Sequence, residues 1–199
     1  MVEIEGFILA GGASRRMGAD KAGLRLGGRS FIERIAGALS QMTAAIRLVG
    51  ARDESLRGGF PVVEDVYREW GALGGLHAAL LSCRAPWAAV VACDLPFVTG
   101  ELFIRLSSLR ENFDAVVPVQ PDGRPQPLCA LYRRDVCLER AARLIAAGER
   151  RPRDLLARIQ TRWVSAGDLA DLAQSELFFI NVNTPDDYTQ AKERMKDEG

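Results

Sequence analysis

The apolar run Phe7-Ile8-Leu9 enters, without a spacer, the stretch Ala10-Gly11-Gly12-Ala13-Ser14-Arg15-Arg16-Met17-Gly18-Ala19-Asp20-Lys21, and this junction constrains the chain more than any other. A strand with no polar alternation is covered on both faces, as in a parallel sheet flanked by helices. A loop with paired glycines and several cations, leaving the carboxyl end of such a strand, lets backbone approach a polyphosphate closely. The spacing excludes the two commonest phosphate loops. The glycines are adjacent, so the stretch is not GxGxxG, and Lys21 lies nine residues beyond Gly12 and precedes Ala22, so it is not GxxxxGK[ST] either.

The remaining pattern predicts alternation of strands and helices. Ser30-Phe31-Ile32-Glu33 has the form of a capping box, and Phe31, Ile35, Ala38, Leu39 and Met42 recur at helical spacing behind it. Strands are expected at Ile46 to Val49, Pro61 to Val63, Trp87 to Ala92, Asp114 to Pro118 and Leu128 to Tyr132, with the last able to return antiparallel after the turn-rich segment 121–127. A weak strand is expected from Arg162 to Val164. Helices are expected up to Ser82, from Thr99 or Gly100 to Leu109, from Asp135 to Ala147, from Arg153 to Ile159, and after Thr184-Pro185-Asp186-Asp187, where the threonine caps and the proline occupies the first turn. This order predicts one α/β domain over residues 1–199, with a mostly parallel sheet between helical layers.

The balance of 26 basic and 26 acidic residues argues against a generic nucleic-acid binder. Four cysteines without CxxC spacing read as buried reduced thiols, and the amino terminus reads as neither signal peptide nor membrane span, which together lead to the expectation of a cytoplasmic protein without membrane association.

Asp94, in Cys93-Asp94-Leu95-Pro96, is expected at the carboxyl end of a parallel strand, where ligands bind in open α/β sheets. In a chain with a cationic loop it fits a ligand for Mg²⁺, which binds through few carboxylates and completes its shell from substrate phosphates. Asn181 and Asn183 flank Val182 and share a face if the segment is extended; they read either as further oxygen donors to the ion or as turn formers before a helix. The only histidine, His77, lies in a helical pattern and receives no role. An anionic phosphate nucleophile needs no general base, and its catalysis reduces to alignment and charge neutralisation.

Together the opening loop, Glu64-Asp65, Gly71-Ala72-Leu73-Gly74-Gly75-Leu76, Cys93-Asp94-Leu95-Pro96 and Asn181-Val182-Asn183-Thr184-Pro185 resemble the molybdenum cofactor guanylyltransferase family of nucleotidyltransferases. The resemblance implies a three-layer α/β/α sandwich of the Rossmann-like GT-A type with one antiparallel strand. It implies Mg²⁺-dependent transfer of GMP from GTP to the phosphate of molybdopterin, usually in its molybdenum form, with pyrophosphate released. Other cofactor-biosynthesis proteins or acceptor apoenzymes are implied as partners. By position, Leu9, Ala10, Gly11 and Gly12 would bind guanine and phosphates through backbone groups, and Lys21 and Arg16 would neutralise the triphosphate. Asp65 would help hold the nucleotide, Gly75 would line its pocket, and Asp94 would hold Mg²⁺. Asn181 and Asn183 would lie towards the pterin and metal, and Arg150 and Arg151 towards the acceptor. Ala72 departs from the related Gly-Pro-Leu pattern beside the base pocket. Relatives that transfer CMP to molybdopterin, or UMP and CMP to sugar or alditol phosphates, share the loop and the aspartate. A binding-only descendant would have no need to retain both Lys21 and Asp94.

Overall fold

The computed structural model describes residues 3–11, 24–51, 58–67 and 70–196. Gly12, Arg15, Arg16 and Lys21 of the opening loop lie outside these residues, so the expectations placed on them stay with the sequence.

The expected first strand is β1 (Ile4–Leu9), buried at every position. It is followed by a hairpin, β2 (Arg25–Leu26) and β3 (Arg29–Ser30), then α1 (Phe31–Ser40), β4 (Ile46–Val49), β5 (Val62–Val63), α2 (Gly71–Ser82), β6 (Trp87–Ala92) and α3 (Gly100–Ser108). The chain continues with β7 (Ala115–Pro118), β8 (Cys129–Arg133), α4 (Arg134–Ala146), α5 (Pro152–Leu156), β9 (Thr161–Val164), a 3-10 turn (Ala166–Leu169) and α6 (Pro185–Lys196).

Seven strands form one sheet in the order β5-β4-β1-β6-β8-β7-β9. Of these, β5, β4, β1 and β6 run parallel, β8 is antiparallel to both β6 and β7, and β9 is parallel to β7. The carboxyl ends of every strand but β8 therefore lie on one edge of the sheet. Alternate residues of β1 enter different layers. Ile4 and Ile8 pack with α1 and α3, whereas Phe7 and Leu9 pack with α2, α4 and α5. Apolar burial on both faces explains the unbroken hydrophobic strands.

Local chemistry sets the helix boundaries. Ser30 Oγ accepts from Glu33 N at 3.1 Å, and the Glu33 carboxylate accepts from Ser30 N at 2.6 Å, completing the expected capping box. Thr184 Oγ1 accepts from Asp187 N, the expected threonine cap, and Thr99 Oγ1 accepts from Leu102 N and caps α3 in the same way. The helix expected from Arg153 to Ile159 starts one residue earlier, with Pro152 in its first turn, and stops at Leu156. There Thr161 Oγ1 donates to Leu156 O at 3.0 Å, closing the helix from its far end. A third cluster joins Leu26, Phe31, Phe97, Leu177, Val182 and Ala191, and Tyr188 Oη donates to Arg25 O at 2.7 Å. By these contacts α6 holds the hairpin that follows the glycine-rich loop. Among the described residues no helix is long and apolar enough to cross a membrane, and none of the four cysteines forms a disulfide.

Candidate functional site

The site lies where β1, β4, β5 and β6 end. Ala10 and Gly11 N–H both donate to Val49 O, at 2.9 and 3.1 Å, and Leu9 O accepts from Cys93 N at 3.1 Å. With those N–H groups committed to the sheet, Ala10 and Gly11 can offer a ligand carbonyl oxygens, which suit the N–H edge of a base better than a phosphate. Gly11 crosses the loop after β4 at backbone contact. A Cβ on Gly11 would stand 3.1 Å from Gly50 Cα, and one on Gly50, whose φ is +71°, would stand 3.0 Å from Gly11 Cα. Only a glycine pair allows that crossing.

Asp65 and the start of α2 form the wall beside β1. Asp65 Oδ1 accepts from Tyr67 N at 2.9 Å, an Asx turn, and Trp70 N donates to Tyr67 O at 2.8 Å. This turn rests on Gly74, where a Cβ would meet Tyr67 O at 2.8 Å and Asp65 Oδ1 at 3.4 Å. Gly75 lies over Leu9, with its Cβ position 3.5 Å from Leu9 Cδ1. Asp65 and Gly75 thus stand on the α2 side of β1.

Asp94 follows β6, with Oδ1 buried from solvent. Arg34 Nε donates to Pro96 O at 3.0 Å and ties the turn after Asp94 to α1. Val182 N donates to Asp94 O at 2.9 Å. That bond lays the 181–183 segment alongside Asp94, with Val182 buried and Asn181 exposed, so the asparagines flank the acid although the segment is not a strand. Asn183 N and Thr184 N both donate to Asp187 at 2.8 Å, fixing the segment to the cap of α6. Among the described residues no three of His, Cys, Asp and Glu gather into a metal cluster. A shielded carboxylate oxygen without a cluster fits Mg²⁺, which takes one or two carboxylates and leaves the rest of its shell to phosphate and water.

His77 lies in α2, buried, with its ring edge-on to Tyr67 at 5.1 Å. Burial pushes its pKa down, against a smaller opposing pull from Asp65, and the neutral form is favoured. Trp70, just before α2, joins two distant parts of the chain. Its Nε1 donates to Glu149 O at 2.8 Å, and the Arg150 guanidinium lies 4.8 Å from its ring centroid. Glu149 and Arg150, after α4, are thereby docked against the turn carrying Asp65. The available signal was a large aromatic in a glycine-rich loop, which carries no information about its partner.

The family model described as "MobA-like NTP transferase domain" matches residues 6–163. The chain is 37% identical over 193 residues to a probable molybdenum cofactor guanylyltransferase of Pelotomaculum thermopropionicum, covering 96% of this chain and 93% of that protein. The crystal structure of molybdopterin-guanine dinucleotide biosynthesis protein A from Archaeoglobus fulgidus superposes with a TM-score of 0.80 at 28% identity, covering 97% of this chain and 99% of the other. The 2-C-methyl-D-erythritol 4-phosphate cytidylyltransferase of Thermus thermophilus, 18% identical, covers 98% of this chain and 99% of that one with a TM-score of 0.70, and shares the fold. With the glycine-led end of β1, the acid after β6 and a family match running from residue 6 to residue 163, the chain belongs to the MobA-like NTP transferase family and is a nucleotidyltransferase.

Proposed function

We propose that the protein transfers GMP from GTP to the terminal phosphate of molybdopterin in its molybdenum-bearing form, with Mg²⁺, as one domain of residues 1–199 acting in the cytoplasm. The observation that carries this reading is the 37% identity, along 96% of the chain, to a protein named as a molybdenum cofactor guanylyltransferase. The geometry adds a site divided at Asp94. On one side stand the end of β1, Asp65 and Gly75; on the other stand Asn181 and Asn183, joined to it through the Val182 to Asp94 bond of 2.9 Å.

In this reading the carbonyl groups of Ala10 and Gly11 face guanine, the Leu9 backbone lies beneath them, and Gly12, Gly75 and Asp65 complete the nucleotide pocket. Arg16 and Lys21 neutralise the triphosphate, and Asp94 would hold Mg²⁺. When bound, that ion supplies charge neutralisation on the phosphates. The acceptor phosphate oxygen attacks the α-phosphorus of GTP, a P–O bond forms, the bond to the β-phosphate oxygen breaks, and pyrophosphate leaves. The attacking oxygen is already anionic. A general base is therefore unnecessary, in keeping with the single histidine being buried. Asn181 and Asn183 orient the acceptor beside Asp94, and Arg150 and Arg151 meet its phosphate.

Two measurements test the reading. A thermal-shift comparison of GTP, CTP, UTP and ATP with Mg²⁺ should favour GTP, since a ligand at 100 times its Kd stabilises a fold by about 2.7 kcal/mol. Pyrophosphate release from GTP should then require molybdopterin. A preference for CTP would move the protein to the cytidylyl-transferring relatives, and GTP binding without turnover would remove the enzymatic reading.

A further inference from the structure

A cavity of about 340 Å³ opens at the carboxyl ends of β7 and β9, on the same edge of the sheet as Asp94. Gln120 lines it just beyond β7, Leu169 comes from the 3-10 turn after β9, and Ser175, Glu176, Phe179 and Ile180 come from the irregular chain that leads to Asn181. None of these residues belongs to the site assembled above.

We propose that this cavity seats a flat aminopyrimidinone ring, the pterin end of the acceptor. The proposal rests on the reading that the acceptor is molybdopterin. Its first support is position. In the strand order β6-β8-β7-β9 the cavity lies two to three strand spacings from Asp94, a span of roughly 10–15 Å. The nucleotide residues lie on the opposite side of Asp94, at β1, β4 and β5. An elongated acceptor with a phosphate at one end and a ring at the other bridges that span with its phosphate at the acid. The wall of the cavity is also continuous with the site, since Ile180 lines the cavity and Val182, two residues on, donates to Asp94 O at 2.9 Å.

The second support is chemistry. Phe179 offers a half-buried ring, held edge-to-face by the fully buried Phe178 at 6.1 Å and 81°, and Leu169 and Ile180 supply apolar walls. Glu176 and Gln120 add a carboxylate and an amide. An aminopyrimidinone presents adjacent ring N–H and exocyclic amino donors, which a carboxylate accepts as a parallel pair, and an amide can answer the ring carbonyl. A largely apolar slot of this volume with few polar side chains in its lining, here the exposed Glu176 and half-buried Gln120, is a common build of a small-molecule pocket. Guanine carries the same donor edge, so the decisive comparison is between pterin and guanine.

The test uses 6-hydroxymethylpterin, followed by its own fluorescence on titration with the wild-type protein, Glu176→Gln and Phe179→Leu. Saturable binding is expected with wild type, weakened roughly 10- to 100-fold by Glu176→Gln and less by Phe179→Leu, with thermal midpoints unchanged. GDP without Mg²⁺ should leave the pterin bound. In turnover with GTP and molybdopterin, Glu176→Gln should raise KM for the acceptor and leave KM for GTP alone. Absence of pterin binding to wild type, equal affinity in both variants, or displacement by GDP would each overturn the proposal. Failure of wild-type turnover with molybdopterin alongside specific pterin binding would instead remove the transfer reaction and keep the pocket.

Discussion

The clearest physical test of the nucleotide side is the pair Gly37→Ala and Gly74→Ala, identical substitutions in two helices with opposite expected signs. Gly37 lies in α1 with no atom within 4 Å of its Cβ position. Alanine there gains only helix propensity, about 0.5–1 kcal/mol. At Gly74 the same methyl would stand 2.8 Å from Tyr67 O and 3.0 Å from Trp70 Cβ. Tyr67 O is not free to retreat, because it accepts from Trp70 N at 2.8 Å while Tyr67 N donates to Asp65. Overpacking of this kind costs about 1–3 kcal/mol, and loosening a turn hydrogen bond adds about 1. After the propensity gain is subtracted, Gly74→Ala is expected to destabilise by about 1–3 kcal/mol. For a chain of this size each kcal/mol moves Tm by about 2–4 °C, so Gly37→Ala should rise by about 1–4 °C and Gly74→Ala fall by about 2–12 °C. Urea unfolding with an unchanged m-value would assign both shifts to stability, and GTP should bind several-fold more weakly to Gly74→Ala because the Asp65 turn is displaced. A Gly74→Ala protein as stabilised as Gly37→Ala would refute the docking of that turn on α2.

Trp70→Phe should keep a ring under Arg150 but remove the bond from Nε1 to Glu149 O, costing about 1 kcal/mol and raising KM for the acceptor more than KM for GTP; equal effects on both would detach Arg150 from acceptor binding. Asp94→Asn should reduce turnover by more than about 100-fold with circular dichroism and GTP-free Tm nearly unchanged, and full Mg²⁺-dependent activity would remove Asp94 from the mechanism. Ser30→Ala should cost about 1 kcal/mol at neutral pH through loss of the N-cap. The other half of the box titrates: the Ser30 backbone N–H holds the Glu33 carboxyl below its usual value, so its stabilisation is complete above the unfolded pKa and lost as pH falls through the lower folded one, and a Glu33→Gln penalty unchanged at pH 2 would contradict the linkage. At pH 8 a thiol reagent should modify half-exposed Cys93 first, because burial pushes Cys83 up to about 11 and Cys129 up to about 12 and raises Cys137 as well; GTP with Mg²⁺ should slow the reaction at Cys93, next to Asp94.

How legible the protein was in its sequence depended on whether the signal was local. The strand at Phe7 to Leu9, the Ser30 to Glu33 box and the Thr184-Pro185 start of α6 are written within a few residues, and the structure has each of them. The hairpin β2–β3 was also written locally, in Gly27-Gly28 with φ of +56° and +80°, and went unread because its strands are only two residues long. The chain from Ala166 to Asn183 shows no period that would predict its path. It is ordered by burying Leu169 and Phe178 in one cluster and Leu177 and Val182 in another, and only the assembled sheet decides that. The Trp70 to Glu149 bond spans 79 residues and has no sequence counterpart.

The antiparallel strand explains why the site has two sides. Had the chain continued with parallel units beyond β6, each new strand would have required a crossover helix and left only short loops at the carboxyl edge. Instead β8 runs against both β6 and β7, and its connection from β7 is the turn-rich segment 119–128 on the same edge as Asp94. Two features then flank Asp94. Towards β1 lies the Gly11–Gly50 crossing, where the proposed function puts the base; towards β7 and β9 the strands end in longer segments with room for a cavity. A reaction between two phosphates needs that division, because both substrates must extend away from one charge-neutralising centre without overlapping. Asp94 stands at the last parallel strand before the reversal, and under the proposed function one carboxylate there would serve both substrates, with the reversal making room for the second.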